Sequence, residues 1–309
     1  MRKLIVLVFS VILTAYFAFS QTSKTENAKI NSSTFITSSD NVKLFAKISG
    51  NGPVCIFVHG GPGAWSKSFE DMKGNSLERK LKMVYYDQRG SGRSDASVEK
   101  NYSLDRMVED IEDIRRTLGV EKIYLLSHSF GGIIAVNYAK KYPGHLTGLI
   151  LANSTLSLND SVERQIKYIN KLLQTNFTFS GSDSVLSTLG SAMQELSARK
   201  LDYKMLSDDK NAVDMLNSID NSAKRKRDFA ERVWDITEYT NDFTPDTKNI
   251  NVPVLIITGK KDYAIGVDHY RLFHFPNQKV AIIDGGHLLY YEQSKAFSDA
   301  IFSFIKKER

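Results

Sequence analysis

The sequence predicts an α/β fold in which a mostly parallel central sheet carries helices on both faces. Apolar strand-like runs alternate with helical stretches, and a chain of 309 residues with 42% hydrophobic residues can bury a large core. A third observation is that helical sequence without a convincing strand interrupts the alternation once. We interpret this interruption as an inserted helical cap.

The predicted core has two parts, residues 34–153 and 249–309, and the predicted cap covers residues 154–248. Strands are expected where short apolar runs are bounded by turn residues. The strand-like runs cover residues 34–37, 42–48, 54–58, 83–86, 123–126, 149–152, 252–258 and 279–283.

The clearest helix covers residues 104–118, because its apolar side chains recur at helical spacing. Ser103 is suited to cap its N-terminus and Gly119 to end it. A second helix-like stretch covers residues 133–139. The chain closes with an amphipathic helix whose apolar stripe is Phe297, Ile301, Phe304 and Ile305.

The N-terminus has the composition of a secretory signal peptide. A short basic start precedes an apolar run over residues 4–19, and a polar stretch follows. We therefore predict a signal peptide over residues 1–20, a flexible leader over residues 21–33 and an exported protein, periplasmic or extracellular. An uncleaved N-terminal anchor is the alternative. The single cysteine, Cys55, lies in a predicted strand far from the cleavage point, so a lipoprotein anchor is not expected.

The charge balance argues against nucleic acid as a partner. The formal net charge is +6, and without Arg2 and Lys3 the chain carries 39 basic against 35 acidic side chains. The densest basic run, residues 224–227, is followed by acidic residues, as on a solvated helix face. We expect a small-molecule or short-peptide substrate, no nucleic acid and no membrane span after signal cleavage. The sequence does not determine the oligomeric state.

Ser129 is the most informative residue. It lies in the run Leu-Leu-Ser-His-Ser-Phe-Gly-Gly, residues 125–132, between a predicted strand and a predicted helix. This context and the small-x-Ser-x-Gly pattern are typical of a nucleophile elbow, in which a serine hydroxyl is raised above the sheet. The alternative is a serine and glycine turn that only caps the helix.

A serine nucleophile needs a base, and the base needs an orienting acid. His287 and Asp262 both follow predicted strands, and chemistry in such sheets collects at the carboxyl ends of strands. Their order after Ser129 is that of this architecture's hydrolases. Asp284 is a rival for the acid, but it lies only three residues from His287, so we favour Asp262.

Two loops complete the predicted site. Residues 59–63, His-Gly-Gly-Pro-Gly, follow a predicted strand, and one N–H of this glycine loop together with that of Phe130 would form an oxyanion hole. Residues 87–94, Asp-Gln-Arg-Gly-Ser-Gly-Arg-Ser, lack the ending of a phosphate-binding P-loop. We call residues 87–94 the charged loop and interpret its charged side chains as bracing the loop itself. The sequence contains no metal-binding cluster and no dinucleotide fingerprint, so no cofactor or metal is expected.

The glycine loop and the charged loop, taken with the elbow, resemble the proline iminopeptidase family of α/β-hydrolases over residues 54–152 and 250–306. The resemblance implies an α/β-hydrolase fold and removal of N-terminal residues, often proline, without a cofactor. Carried over by position, it implies Ser129 as nucleophile, Asp262 as acid and His287 as base. Gly61 and Phe130 would then supply the oxyanion donors.

In that family, carboxylates of the cap bind the free amine of the substrate. The candidates here lie around Trp234 and are three and four positions apart, which would place them near one face of a helix. The alternative is that they form a solvated stripe on that helix. They are Glu231, Asp235 and Glu238. We expect a serine hydrolase that works through an acyl-enzyme, first an exported aminopeptidase removing proline-like residues from short peptides. The alternatives are a carboxylesterase and, less favoured, a non-catalytic binding protein.

Overall fold

The computed structural model describes residues 32–179 and 182–307. Their strands form an eight-stranded sheet in the order β1-β2-β4-β3-β5-β6-β7-β8, antiparallel between β1, β2 and β4 and parallel from β4 to β8. The strands are β1 (Ser32–Thr37), β2 (Lys43–Ser49), β3 (Val54–Val58), β4 (Lys82–Tyr86), β5 (Ile123–Ser129), β6 (Leu146–Ser154), β7 (Val254–Gly259) and β8 (Gln278–Ile283).

Helices connect the strands and fill the predicted cap region. The α-helices are α1 (Ser66–Asp71), α2 (Leu104–Thr117), α3 (Gly131–Lys141), α4 (Leu158–Leu173), α5 (Ser182–Ala198), α6 (Lys210–Asp220), α7 (Asp228–Arg232), α8 (Leu289–Glu292) and α9 (Ser294–Lys307). The 3₁₀ helices are Gly74–Arg79, Pro143–His145, Asp202–Met205, Val233–Asp235, Thr237–Thr240, Pro245–Asn249 and His269–Leu272. The Ser103 side chain accepts a hydrogen bond from the Arg106 N–H and so caps α2.

Both faces of the central strands are buried. On β3, Ile56 and Val58 pack with α2 and α3, whereas Cys55 and Phe57 pack with α1 and α9. Such two-sided burial explains why the central strands are continuous apolar runs rather than alternating ones. Burial also raises the pKa of the Cys55 thiol, which is an inert part of the core.

The sheet extends beyond several of the predicted strands, and the starts of β1 and β6 show why. β1 begins at Ser32, inside the stretch predicted as flexible leader, because Ser32 pairs with Ile48 of β2. β6 begins at Leu146, three residues before the predicted start, and its pairing with β5 sets this bound. Strand pairing is a tertiary interaction, so apolar periodicity alone underestimates strand length at these ends.

The predicted signal peptide and most of the leader lie outside the described residues. Within the described part of the chain, no helix combines the length and the apolar character that crossing a membrane requires.

The segment between β6 and β7 forms helices and one isolated β-bridge in its described residues. Helices α4 and α5 share a small apolar cluster of their own, which includes Ile169 and Leu196. The bridge joins Gly92 in the charged loop to Lys226, with N–O distances of 3.2 and 2.8 Å. This segment therefore has an apolar cluster of its own and is also hydrogen-bonded to the charged loop, which follows β4.

One buried ion pair stabilises the base of the charged loop. The Arg89 guanidinium is fully buried and binds both carboxylate oxygens of Asp110 at 2.7 Å and both of Asp40 at 2.7 and 2.8 Å. Arg89→Met should lower the free energy of unfolding by about 3 kcal/mol, because it removes two short hydrogen bonds from the buried Asp110 carboxylate and leaves it only Arg106, at 3.3 Å. Urea unfolding measures this.

The matched control is Arg116→Met. The Arg116 side chain is 57% exposed where it pairs with Glu112, so its loss should cost less than about 1 kcal/mol. Equal losses from the two variants would contradict the assignment of Arg89 as the stabilising cation.

Candidate active site

Ser129 lies at the point where β5 turns into α3. Its φ of +56° is left-handed, a conformation that a non-glycine residue adopts at a cost. Gly131 permits the sharp turn, because a Cβ at that position would lie 2.4 Å from the Val58 carbonyl oxygen of β3. The strand, strained turn and helix predicted for a nucleophile elbow are therefore present at Ser129.

The glycine loop lies directly beside Ser129. It follows β3, whose neighbours in the sheet are β4 on one side and β5 on the other. The order in which the strands are added to the sheet therefore changes direction at β3. Ligands of open α/β sheets bind at such a switch point, beyond the carboxyl ends of the strands. A Cβ on Gly60 would come within 2.7 Å of the Ser129 Cβ, so only glycine allows this approach.

Buried polar contacts hold the glycine loop against the charged loop. The Gln88 N–H donates to His59 Nε2 at 2.9 Å, and the Gln88 side chain donates to the His59 carbonyl at 2.7 Å. Burial lowers the pKa of His59, which keeps the ring neutral and its Nε2 free to accept. His59 thus holds the glycine loop in place.

The predicted brace of the charged loop is an ion pair between Asp87 and Arg93. Arg93 Nε lies 2.7 Å from Asp87 Oδ2, and the Ser66 N–H and hydroxyl both donate to Asp87 Oδ1. The Arg93 guanidinium also lies 3.5 Å from the centroid of the Phe45 ring. Asp87 is fully buried and forms no part of the cavities described below.

His287 binds Asp262 rather than Asp284. The Asp262 carboxylate oxygens lie 3.0 and 3.1 Å from His287 Nδ1, and both residues are buried. The N–H groups of Ala264 and Ile265 also donate to Asp262 Oδ1, which fixes the carboxylate. Asp284 is instead 69% exposed and lies 3.8 Å from the Lys261 ammonium.

The main chain of His287 is held from three sides. Its N–H donates to the Leu206 carbonyl of the cap at 2.7 Å. Its carbonyl accepts from Asn153 Nδ2 and His128 Nε2, both at 3.0 Å. A carbonyl can only accept a hydrogen bond, so His128 Nε2 carries a proton. Burial is the main cause, and the nearby His287 the second, that lowers the pKa of His128 well below its usual range. His128 is therefore neutral and holds the His287 main chain, and its ring lies 4.5 Å from the His287 ring.

Asn153 is a site residue that the sequence analysis missed. Its Nδ2 donates to the carbonyls of Gly286 and His287, and its Oδ1 accepts from the Gly259 N–H at 2.9 Å. It therefore ties the ends of β6 and β7 to the loop that carries His287. Its position at the carboxyl end of a predicted strand was a usable signal, but a lone asparagine there indicates no partner.

Asn153→Ala should lower kcat by up to about 10²-fold with little change in KM, because small displacements of a reacting group are costly. Steady-state kinetics with any substrate that the protein hydrolyses measure kcat and KM. Asn170→Ala is the control, since Asn170 hydrogen-bonds Phe177 within the cap. Equal losses in both variants would show that Asn153 acts only through stability.

Two cavities meet at Ser129 and His287. The large cavity, about 470 Å³, is lined by both residues and by Gly61 and Phe130, the two predicted oxyanion donors. The small cavity, about 210 Å³, is also lined by Ser129, His287 and Gly61. The structure therefore brings the predicted nucleophile, base and donors to one junction.

The predicted amine-binding residues are not brought together. Residues 228–240 form α7 and two short 3₁₀ helices, so the spacing of three and four does not define one helix face. Trp234 lines the large cavity. Glu231 and Asp235 are exposed and are not among the described residues that line either cavity, and Glu238 caps α2 through the Leu104 N–H at 2.8 Å.

Two other carboxylates do line the cavities. Asp202 is exposed at the large cavity, and Asp220 lies half-buried in the small one. Asp220 Oδ1 accepts from Trp65 Nε1 at 2.8 Å and from the Ser68 hydroxyl at 2.5 Å, whereas Oδ2 lies 3.5 Å from Arg225. Among the described residues, no group of histidine, cysteine, aspartate and glutamate is arranged to bind a metal ion.

Residues 53–294 match the family model for the alpha/beta hydrolase fold. The chain belongs to the α/β-hydrolase fold family. The predicted fold class is thereby confirmed, and family membership supports the prediction that the chain is a hydrolase. In this α/β-hydrolase the segment predicted as a cap lies between β6 and β7.

Relatives and solved structures agree with this assignment. A proline iminopeptidase of Saccharolobus solfataricus is 26% identical over 281 residues, which span 85% of this chain and 87% of that protein. A proline iminopeptidase-related protein of Thermus thermophilus superposes with a TM-score of 0.76 at 20% identity, covering 89% and 97% of the two chains. An esterase of Exiguobacterium antarcticum gives 0.67 at 20% identity, covering 89% and 100%. The predicted resemblance to proline iminopeptidases is confirmed.

Proposed function

We propose that this α/β-hydrolase is a serine hydrolase that uses Ser129, His287 and Asp262. The main evidence is that Ser129 lies on a strained turn and lines the same cavity as His287, which binds the buried Asp262 carboxylate. Asp262 accepts from His287 Nδ1, which leaves Nε2 of the neutral ring free to take the Ser129 proton. The carboxylate then stabilises the imidazolium that forms.

The acyl-enzyme would form and break in two matched steps. The Ser129 hydroxyl attacks the substrate carbonyl carbon while His287 takes its proton, and the Gly61 and Phe130 N–H groups stabilise the oxyanion. His287 then protonates the leaving group as the carbon–leaving group bond breaks. Water repeats the sequence on the ester and frees Ser129.

The proposed activity is removal of an N-terminal proline-like residue from a short peptide by an exported enzyme. The proline iminopeptidase relatives support the reaction, and the composition of residues 1–20 supports export. The site also offers a carboxylate for the free amine. Asp220 is the candidate we favour, because it lies in the small cavity with Ser129, where a single residue fits.

Asp202 is the second candidate for the amine, but it is exposed at the large cavity, where water weakens an ion pair. Glu231, Asp235 and Glu238 are no longer favoured for this role, because none of them lines either of the two cavities that contain Ser129.

A carboxylesterase on the same three residues is the second candidate function. The large cavity favours it, since side chains such as Leu158, Val162 and Met193 give it an apolar wall suited to an acyl chain. An esterase needs no carboxylate for an amine, so Asp220 would then only brace Trp65 and Ser68.

The deciding experiment compares three substrates on the purified mature protein: prolyl anilide, N-acetylprolyl anilide and a short-chain nitrophenyl ester. We expect hydrolysis of the first and none of the second, because acetylation removes the amine's charge. Turnover of the ester alone would establish the esterase. A fluorophosphonate should label Ser129, and an unlabelled protein would favour a binding role.

Export has its own test. N-terminal sequencing of protein recovered outside the cytoplasm should find a start close to residue 21. A chain that retains residues 1–20 in the membrane fraction would support the anchor instead.

A further inference from the structure

The two cavities differ in chemistry as well as size. Aromatic side chains and one acid, Asp220, line the small cavity; the aromatic residues are Phe57, Trp65, Phe69 and Tyr290. The large cavity has about twice the volume and is walled mainly by aliphatic side chains from α4, α5, α6 and the loop after β7. A substrate with its carbonyl at Ser129 therefore has two unlike cavities available for its two halves.

The apolar wall of the large cavity is firmly packed at its base. Its most buried aliphatic side chains are only 4–6% exposed. They are Val162, Met205, Val213 and Ile265. These residues come from four different segments of the chain, so the cavity is part of the packed structure.

The polar side chains deep in this cavity already have partners. The hydroxyls of Thr155 and Ser161 bind each other at 2.8 Å, and both residues are 2% exposed. The Gln165 amide donates to the Ala264 carbonyl at 2.6 Å. Uncharged polar groups that are satisfied internally add little affinity for a ligand, so the gain on binding in this cavity comes from burying apolar surface.

We propose that the large cavity binds a bulky apolar group on the leaving side of the scissile bond. This rests on the proposed aminopeptidase function, in which Asp220 draws the N-terminal residue into the small cavity. The large cavity then receives the second residue of the peptide. The substrate class is thus a short peptide with a small first residue and a leucine-like or aromatic second residue.

The test is a series of prolyl dipeptides whose second residue is glycine, alanine, leucine or phenylalanine. The ratio kcat/KM should rise at least about tenfold from glycine to leucine, the gain expected from burying one such side chain. A parallel series of nitrophenyl esters, acetate to octanoate, varies the acyl side. A flat dipeptide series beside a rising ester series would overturn the orientation that we propose.

Variants of α5 localise the effect. Met193 lines the large cavity, so Met193→Trp should abolish the preference for a large second residue and bring the ratio of the leucine rate to the glycine rate down to about one. Gln194→Trp, next to it but exposed, is the matched control and should keep the full series. If Met193→Trp fails to fold, Met193→Ala should shift the optimum toward the larger residue. Variants that all keep the parent series would overturn the proposal.

The outcomes separate this inference from the function on which it depends. Hydrolysis of prolyl dipeptides at rates independent of the second residue would overturn the inference alone. A protein that hydrolyses no prolyl peptide, although a fluorophosphonate labels Ser129, would overturn the proposed aminopeptidase and the inference together.

Discussion

Ser129→Ala is expected to lower kcat by about 10⁶-fold, because the variant has no alcohol to form the acyl-enzyme. Residual turnover would come from binding and from the oxyanion donors alone. The variant should also lose all labelling by a fluorophosphonate. Burst-phase kinetics and mass spectrometry of the treated protein measure the two effects.

Ser129→Gly is the companion variant. It also lacks the hydroxyl, but glycine adopts a φ near +56° without strain. It should therefore be as inactive as Ser129→Ala and more stable by about 1 kcal/mol, after the greater flexibility of unfolded glycine is counted. Activity in either variant would exclude Ser129 as the nucleophile.

Asp262→Asn is expected to lower kcat by about 10⁴-fold with little loss of fold. An asparagine Oδ1 can still accept from the Ala264 and Ile265 N–H groups, which would turn its NH₂ group toward His287 Nδ1. His287 would then hold its proton on Nε2 and could not accept one from Ser129. Steady-state kinetics across a range of pH values measure the loss.

Asp284→Asn is the matched control, because it makes the same chemical change in the rival acid. The Asp284 side chain is 69% exposed, so kcat should change by no more than about twofold. A large loss in this variant with none in Asp262→Asn would reverse the assignment of the orienting acid. Thermal unfolding of both variants shows that the comparison is made on folded protein.

Much of the fold could be predicted because its signals are local. The central strands are buried on both faces and are therefore apolar runs, as at β3 and β7. The elbow is also local, since a strand, small residues and a helix around Ser129 lie within about twenty positions. The bounds of β1 and β6 were less predictable, because pairing with distant strands sets them.

The candidate site was only partly predictable, for a related reason. The cap carboxylates were selected by spacing along an assumed helix, but residues 228–240 fold as several short segments. Asp220 was overlooked because nothing near it in sequence marks it, and only the packing of α6 beside Trp65 brings it to the small cavity. Asn153 was missed because its partners lie more than 100 residues away.

The sequence by itself therefore determined the fold class, the elbow at Ser129 and the chain order of serine, aspartate and histidine. Only the tertiary structure decided that His287 binds Asp262 rather than Asp284, that Asn153 holds the His287 loop, and that two unlike cavities meet at Ser129. Backbone conformation follows from neighbouring residues, whereas the lining of a cavity depends on distant segments whose contacts form only when the whole chain packs.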